Sequence, residues 1–359
     1  MGDIDGVVDT SGEQGATQLA VNDLSDHQWQ RSAWHRPWLS LLVSVYPFLG
    51  FAGGISCSLS HNWLVWPVGI LLLAHTMTWA GLLSHDAMHL AIFRSRAWNL
   101  RVGGALTVLS GACYFPFGLL RDQHLDHHRH HVGVDGFSIT RWISSLPVVV
   151  RWAVVACEWA YIPVTTIYIT VRSRVMPFRD STLRHLASRV AWVAILRALA
   201  FLGLFSINPV SVVLVLAAQV LTVHFMRLYD CFHHTFDIYP RHAEVPKFSR
   251  DYLQNNTFSS IFSRNIEWLN AIFLNYGYHN AHHEKPHIPW HALPELDRAM
   301  FDDRSVHCLL GRNLFRTYHR HRVTRLFRGL GRPRIDGAHL NTDEYWGIIM
   351  NITFLSYSP

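Results

Sequence analysis

Histidine is the residue best placed to do chemistry in this 359-residue chain, which contains 25 of them, many in short clusters. His85-Asp-Ala-Met-His89 sets two imidazoles at i and i+4, on one helical face. Such a pair can serve one metal or two neighbouring ones, and equally suits two interfacial histidines facing headgroups. In Arg121-Asp-Gln-His124-Leu-Asp-His127-His128-Arg-His130-His131, His124, His127 and His128 fall at i, i+3 and i+4. His127, His130 and His131 repeat that spacing. We take the first register, which leaves Asp135 seven residues beyond His128; a loose histidine patch is the plainer alternative. His279, His282 and His283 give the same arrangement a third time, before Pro286, Pro289 and Pro294 end any helix. His287 and His291 read as surface or supporting residues. A further pair, His233-His234, lies in Asp230-Cys-Phe-His-His-Thr-Phe-Asp237, and His224 just upstream reads as interfacial.

Imidazole is a borderline ligand suited to iron, zinc, copper and nickel. A zinc site takes three or four protein ligands. Eight histidines in three clusters, plus a fourth group, exceed that and suit two metals. Asp86, Asp122, Asp126, Asp237 and Glu284 lie beside them. Each could accept a ligand's second N–H and fix its ring, or be solvated charge.

These clusters need a frame. Trp38 to Leu59 and Trp63 to Ser84 are apolar runs broken by Ser60, His61 and Asn62, each long enough to cross a bilayer as a helix. Val190 to Phe205 and Pro209 to Phe225 form a second such pair, turning at Asn208 and interrupted by Arg197. Val102–Leu120, with Gly103, Gly104, Gly111 and Pro116, and Leu146–Val171, with Arg151, Glu158 and Pro163, are not clean spans. Arg172, Arg174, Arg179, Arg184 and Arg189 mark a cytoplasmic loop. If either unclean segment crossed fully, the histidine clusters would fall on opposite sides. We therefore expect an all-α membrane protein: four spans in two hairpins, two interfacial or re-entrant segments, and a cytoplasmic histidine-rich cap. Trp38, Trp63 and Trp79 read as interfacial anchors.

Composition agrees. Half the residues are hydrophobic and 16% charged, in long apolar blocks separated by polar stretches. The net charge of +6 is carried almost wholly by arginine, with Lys247 and Lys285 the only lysines. Apolar blocks this long favour a membrane over nucleic acid as the partner. Cys57, Cys113, Cys157, Cys231 and Cys308 are too scattered for a disulfide framework or a zinc knuckle. Residues 1–30 hold Asp3, Asp5, Asp9, Glu13, Asp23 and Asp26 with few large apolar groups, so a disordered tail is expected there, without the pattern of a signal peptide. Residues 31–325 are expected to form the membrane domain and 326–359 a C-terminal tail.

The set HDAMH, HLDHH and HNAHH resembles the three histidine boxes of membrane fatty acid desaturases and the related carotenoid hydroxylases and ketolases. NYGYHNAHHEKPHIPWHALPEL is similar to their third-box region, and FHHTFDIYP to the upstream segment with an additional ligand. The resemblance runs from about Trp38 to Leu296. It implies a di-iron centre held by His85, His89, His124, His127, His128, His279, His282 and His283, with His234 as the additional ligand and His233 as its alternative. It implies O2-dependent desaturation of a lipid- or thioester-linked acyl chain. Hydroxylation, ketolation or acetylenation of a carotenoid or specialised lipid uses the same boxes. No fused haem-binding donor domain is visible, so a separate ferredoxin- or cytochrome-type donor and its reductase are implied. An acidic carrier could use the loop arginines, although positive-inside topology accounts for them. A membrane metal transporter is the competing class, but it would place ligands at the bilayer midplane on broken helices. Here they abut span ends.

Overall fold

The computed structural model describes residues 36–130, 133–134, 138–236, 238–239, 244, 246–301, 307–328, 331–336, 339–349, 355 and 357. The disorder expected of residues 1–30, and His131, Asp135 and Asp237, lie outside the described residues.

Among the described residues, four helices are long and apolar enough to cross a membrane. The first, α1 (Pro37–Leu59), starts with proline at its first position, where the missing N–H costs nothing. The second, α2 (Trp66–Met88), follows a single 3-10 turn at Trp63–Val65 that Asn62 caps. The two pack closely because small residues line the crossing. A Cβ at Gly54 would lie 2.6 Å from Leu73 Cγ, and Gly50 one turn earlier would meet Thr76 at 2.4 Å. This is the small-xxx-small contact of membrane helix pairs, which lets backbones approach without lipid between them.

The chain then runs through α3 (Arg96–Ser110), stopped by Gly111 at φ 85°, and α4 (Phe117–His130). The break at Gly111 keeps Val102–Leu120 from being one span. After α5 (Ile139–Ser145) come α6 (Val148–Trp159) and α7 (Val164–Arg179), bent by 112°. The bend is built, not frayed. Tyr161 takes φ 63°, and the buried Glu158 carboxylate accepts from the Thr165 N–H (2.8 Å) and hydroxyl (2.6 Å). Arg227 closes the knot with a 2.8 Å ion pair to Glu158. Glu158 thus anchors the bend to the fourth long helix.

That helix pair is α8 (Ala187–Ile207) and α9 (Pro209–Asp230). Asn208 turns the chain between them, capping α9 through the Val210 N–H and donating to Ser60 O (3.3 Å), so the two hairpin turns meet. α8 buries little beyond Val190 and exposes Trp192, Leu196, Leu199, Leu202 and Phe205, as a lipid-facing helix should. α2 is the central element, packed by α1, α3 and α9.

Beyond α9 lie the short helices α10 (Arg250–Asn255), α11 (Glu267–Ala271), α12 (His279–Glu284), α13 (Leu293–Met300), α14 (Gly311–Arg320) and α15 (Thr324–Phe327). Three two-stranded pairings stitch them. Parallel β1 (Gly133–Val134) joins β2 (Ile238–Tyr239), parallel β3 (Ser259–Ile261) joins β4 (Cys308–Leu310), and antiparallel β5 (Arg334–Asp336) joins β6 (His339–Asn341). Within 326–359, Leu326 and Tyr345 are fully buried, and Tyr345 donates to Phe232 O. Of the three tryptophans expected at the interface, Trp38 and Trp63 are exposed, whereas Trp79 packs against Tyr46 and bonds Val43 O (3.1 Å).

Candidate metal centre

α2 does not stop at the end of its apolar run. It continues to Met88 and carries His85 on its last turn, with His89 as the cap residue. Asn99 accepts from the Ile92 and Phe93 N–H groups, and Arg121 donates to Met88 O (2.7 Å), so the turn after the first box is held from two sides. The second box lies on α4 and the third on α12. His233 and His234 follow directly on α9. The histidines therefore come from four segments that end at the same side of the spans.

They converge. His85, His89, His124, His128 and His282 place one ring nitrogen each within 4.8 Å of one another, and His127, His234 and His283 do the same beside them. His279 joins the second group through His234, Nε2 to Nε2 at 2.8 Å. The groups adjoin, since the His128 and His283 rings stack at 4.2 Å. His85, His89, His124, His127, His128, His234, His279, His282 and His283 are all in this cluster. His130 is exposed, so the second box presents His124, His127 and His128 inward. His233 lies outside both groups; it meets Ser260 Oγ at 2.9 Å and stacks on His279 at 3.9 Å. His287 and His291 are half-buried and belong to neither group.

Two observations test whether these residues suit a metal. Nε2 atoms face each other at 2.8 Å (His89–His124), 3.1 Å (His124–His128), 3.2 Å (His127–His234) and 3.3 Å (His128–His282). Two imidazoles sharing one ion at about 2.1 Å must approach to about 3 Å. Both ring nitrogens of His283 are buried without a hydrogen-bond partner, as is Nδ1 of His279. Such groups call for an ion or water. Burial, with neighbouring imidazoles adding to it, holds His89, His124, His128, His279, His282 and His283 well below the ordinary histidine range. They are neutral at pH 7, the form that ligates. The donor set fits.

Among the described residues, the Asp86 carboxylate meets a grouped histidine, His85 Nδ1 at 3.2 Å. Asp126 pairs with Arg129 on the surface, and Glu284 with Arg250. His224, half-buried, bonds Tyr318 (2.6 Å) and Tyr161 O (2.8 Å), tying α9 to α14 and the bend. Sequence reasoning missed Tyr276, buried 5.3 Å from His85 and 5.1 Å from His233. It also missed the left-handed residues beside the boxes: Leu90 (φ 61°), Leu274 (54°) and Asn275 (52°).

The model of the fatty acid desaturase family matches residues 61–310, more than half the chain. This chain belongs to the fatty acid desaturase family. A soybean (Glycine max) protein, an omega-3 fatty acid desaturase of the chloroplast, is 24% identical over 295 residues. The match covers 76% of this chain and 62% of the relative's length. Family, apolar helices and histidine groups together define a membrane protein of the desaturase type, with side chains able to hold metal.

Proposed function

We propose that this protein catalyses O2-dependent desaturation of a fatty acyl chain, lipid- or thioester-linked, at a di-iron centre. The ligands are His85, His89, His124, His128 and His282 for one iron and His127, His234, His279 and His283 for the other. The observation that carries this reading is the convergence of histidines from four segments into two adjoining groups in a desaturase-family chain. The soybean relative's name supports an acyl chain as substrate.

Bound iron would supply O2 activation and hydrogen abstraction from an unactivated C–H bond. The protein's part is to hold the imidazoles neutral and convergent in a dry site. Asp86 orients His85 by accepting from its Nδ1–H, and Ser260 fixes His233 against the back of His279. Removing two hydrogens while reducing O2 to two waters takes two further electrons and two protons. A separate ferredoxin- or cytochrome-type donor and its reductase deliver the electrons from the cytoplasmic side, where we place the histidines.

The test is a mass-spectrometric lipid profile of cells expressing the wild type beside His283→Ala, with iron counted in both purified proteins. A product two hydrogens lighter with wild type alone, and two irons per chain, is expected. A product heavier by one oxygen would move the reaction to hydroxylation. Zinc or haem in place of iron would refute the reading.

A further inference from the structure

A cavity of about 620 Å³ opens between α7, α8, α9 and the turn from α3 to α4, apart from the histidine groups. Its floor, including Ala198, Phe201, Leu216 and Val220, is apolar and lies toward the middle of the spans. Its other end, by Tyr114, holds Arg174 and Arg197. Their guanidinium carbons lie 3.7 and 5.7 Å from the centroid of the Tyr114 ring. Among the described residues, Arg197 makes one hydrogen bond, to Gly111 O at 3.3 Å, and Arg174 makes none. Neither meets a carboxylate there, and none of the described residues lining the cavity is acidic.

Positive-inside topology accounts for Arg174 but not for Arg197. The positive-inside bias acts on residues outside the spans, such as Arg179 and Arg184. Arg197 lies ten residues into α8, and its side chain turns toward the cavity instead of lipid. Two like charges at one wall of an apolar chamber repel each other and are poorly hydrated. An anion relieves both, and a planar guanidinium can bind carboxylate or phosphate through paired N–H groups. An intramembrane arginine facing a cavity is a functional feature by default. The volume falls in the range of about 300–1,000 Å³ usual for small-molecule sites.

We infer that this cavity binds an anionic amphiphile, its acyl chain on the floor between α8 and α9 and its carboxylate or phosphate on Arg174 and Arg197. The site is independent of the metal reading, because binding can be read without turnover.

Native mass spectrometry of the metal-containing protein in a neutral detergent tests it. The probes are oleate, palmitoyl-oleoyl phosphatidylglycerol and palmitoyl-oleoyl phosphatidylcholine. Wild type should retain at least one anionic probe at about tenfold lower concentration than phosphatidylcholine, as expected of charge-assisted hydrogen bonds. Preference for oleate identifies a free carboxylate as the head, and preference for phosphatidylglycerol a phosphodiester. The double variant Arg174→Gln/Arg197→Gln should lose the preference with its metal content unchanged. Ala198→Trp, which fills the floor and leaves both charges, should weaken retention of the anionic probe. Retention of phosphatidylcholine as readily as both anionic probes by wild type overturns the inference, whatever the variants do. So does a double variant that keeps the preference.

Discussion

Gly277 is the residue through which the third box can be moved without touching a histidine. Its carbonyl accepts from the Ser260 N–H at 2.8 Å, so the turn before His279 lies directly on β3. A Cβ at Gly277 would come within 2.0 Å of Ser260 O and 2.9 Å of its carbonyl carbon. Alanine there forces the two backbones apart by at least about 1 Å, because a close-packed interior has no slack to absorb the overlap. β3 is poorly placed to yield. It is paired to β4 from Ser259 to Ile261, and the buried Ser260 hydroxyl meets His233. The shift therefore falls on the turn and reaches His279 two residues on.

A displacement of about 1 Å at reacting groups costs about a hundredfold in rate, and overpacking costs about 1–3 kcal/mol of stability. Gly277→Ala should thus lower acyl product at least about a hundredfold and reduce bound metal, with a modest fall in thermal midpoint. Product is measured by mass spectrometry of cell lipids and metal by elemental analysis of purified protein. Gly203→Ala on the exposed face of α8, where an added Cβ meets nothing within 4 Å, is the control and should match wild type. Wild-type metal and product from Gly277→Ala would refute the reasoning. Equal damage from Gly203→Ala would show that the assay reports general fragility.

The register of the second box is tested by His127→Ala, which should lower bound metal, against His130→Ala, which should not. Metal loss from His130→Ala would put the other register in play. Glu158→Gln should leave Arg227 buried without its counter-charge and cost about 3–5 kcal/mol, read as a lower thermal midpoint in detergent. Glu158→Leu/Arg227→Met should recover most of that loss, and a single variant as stable as wild type would remove the pair from the account. The metal-free protein should weaken in acid. His124, His279 and His283 have native values depressed below the unfolded one, so the unfolded chain binds more protons once the pH falls below about 6.5. Stability present above that pH is then lost, and an unchanged thermal midpoint from about pH 7.5 to 5.5 would contradict the burial of these rings.

The frame and the boxes were legible because both are local signals. Apolar runs report spans residue by residue, and i, i+3, i+4 spacing reports a helical face. Glu158 shows where that legibility ends. In the sequence it breaks an apolar segment; in the fold it holds the bend by pairing with Arg227, 69 positions away. His224 is a second case, since Tyr318 and Tyr161 O are partners that no local pattern announces. Gly277 gives no signal either, because its role is the nearness of a strand. Leu90 and Leu274 adopt left-handed backbone that leucine disfavours, and surrounding contacts must impose it, whereas Asn275 is of a type that tolerates it.

The partition of the histidines was the least legible feature, yet a simple rule produces it. Neighbours on a helix point about 100° apart, whereas residues four apart share a face. In the second box His124 and His128, four apart, enter one group, and His127 enters the other. In the third box the roles exchange. His282 enters the group of His124 and His128, while His283 joins His127 and His234, with His279 held to His234. Each HxxHH box therefore divides two-to-one between the groups, and the two boxes divide in opposite senses. Neither box can complete a group alone, and the adjacent pairs His127–His128 and His282–His283 each straddle the gap. A single i, i+4 pair, as on α2, is enough for the first box, whose two histidines serve one group. The doubled histidine in the other two boxes is what a two-group site requires of a short helix lying across it.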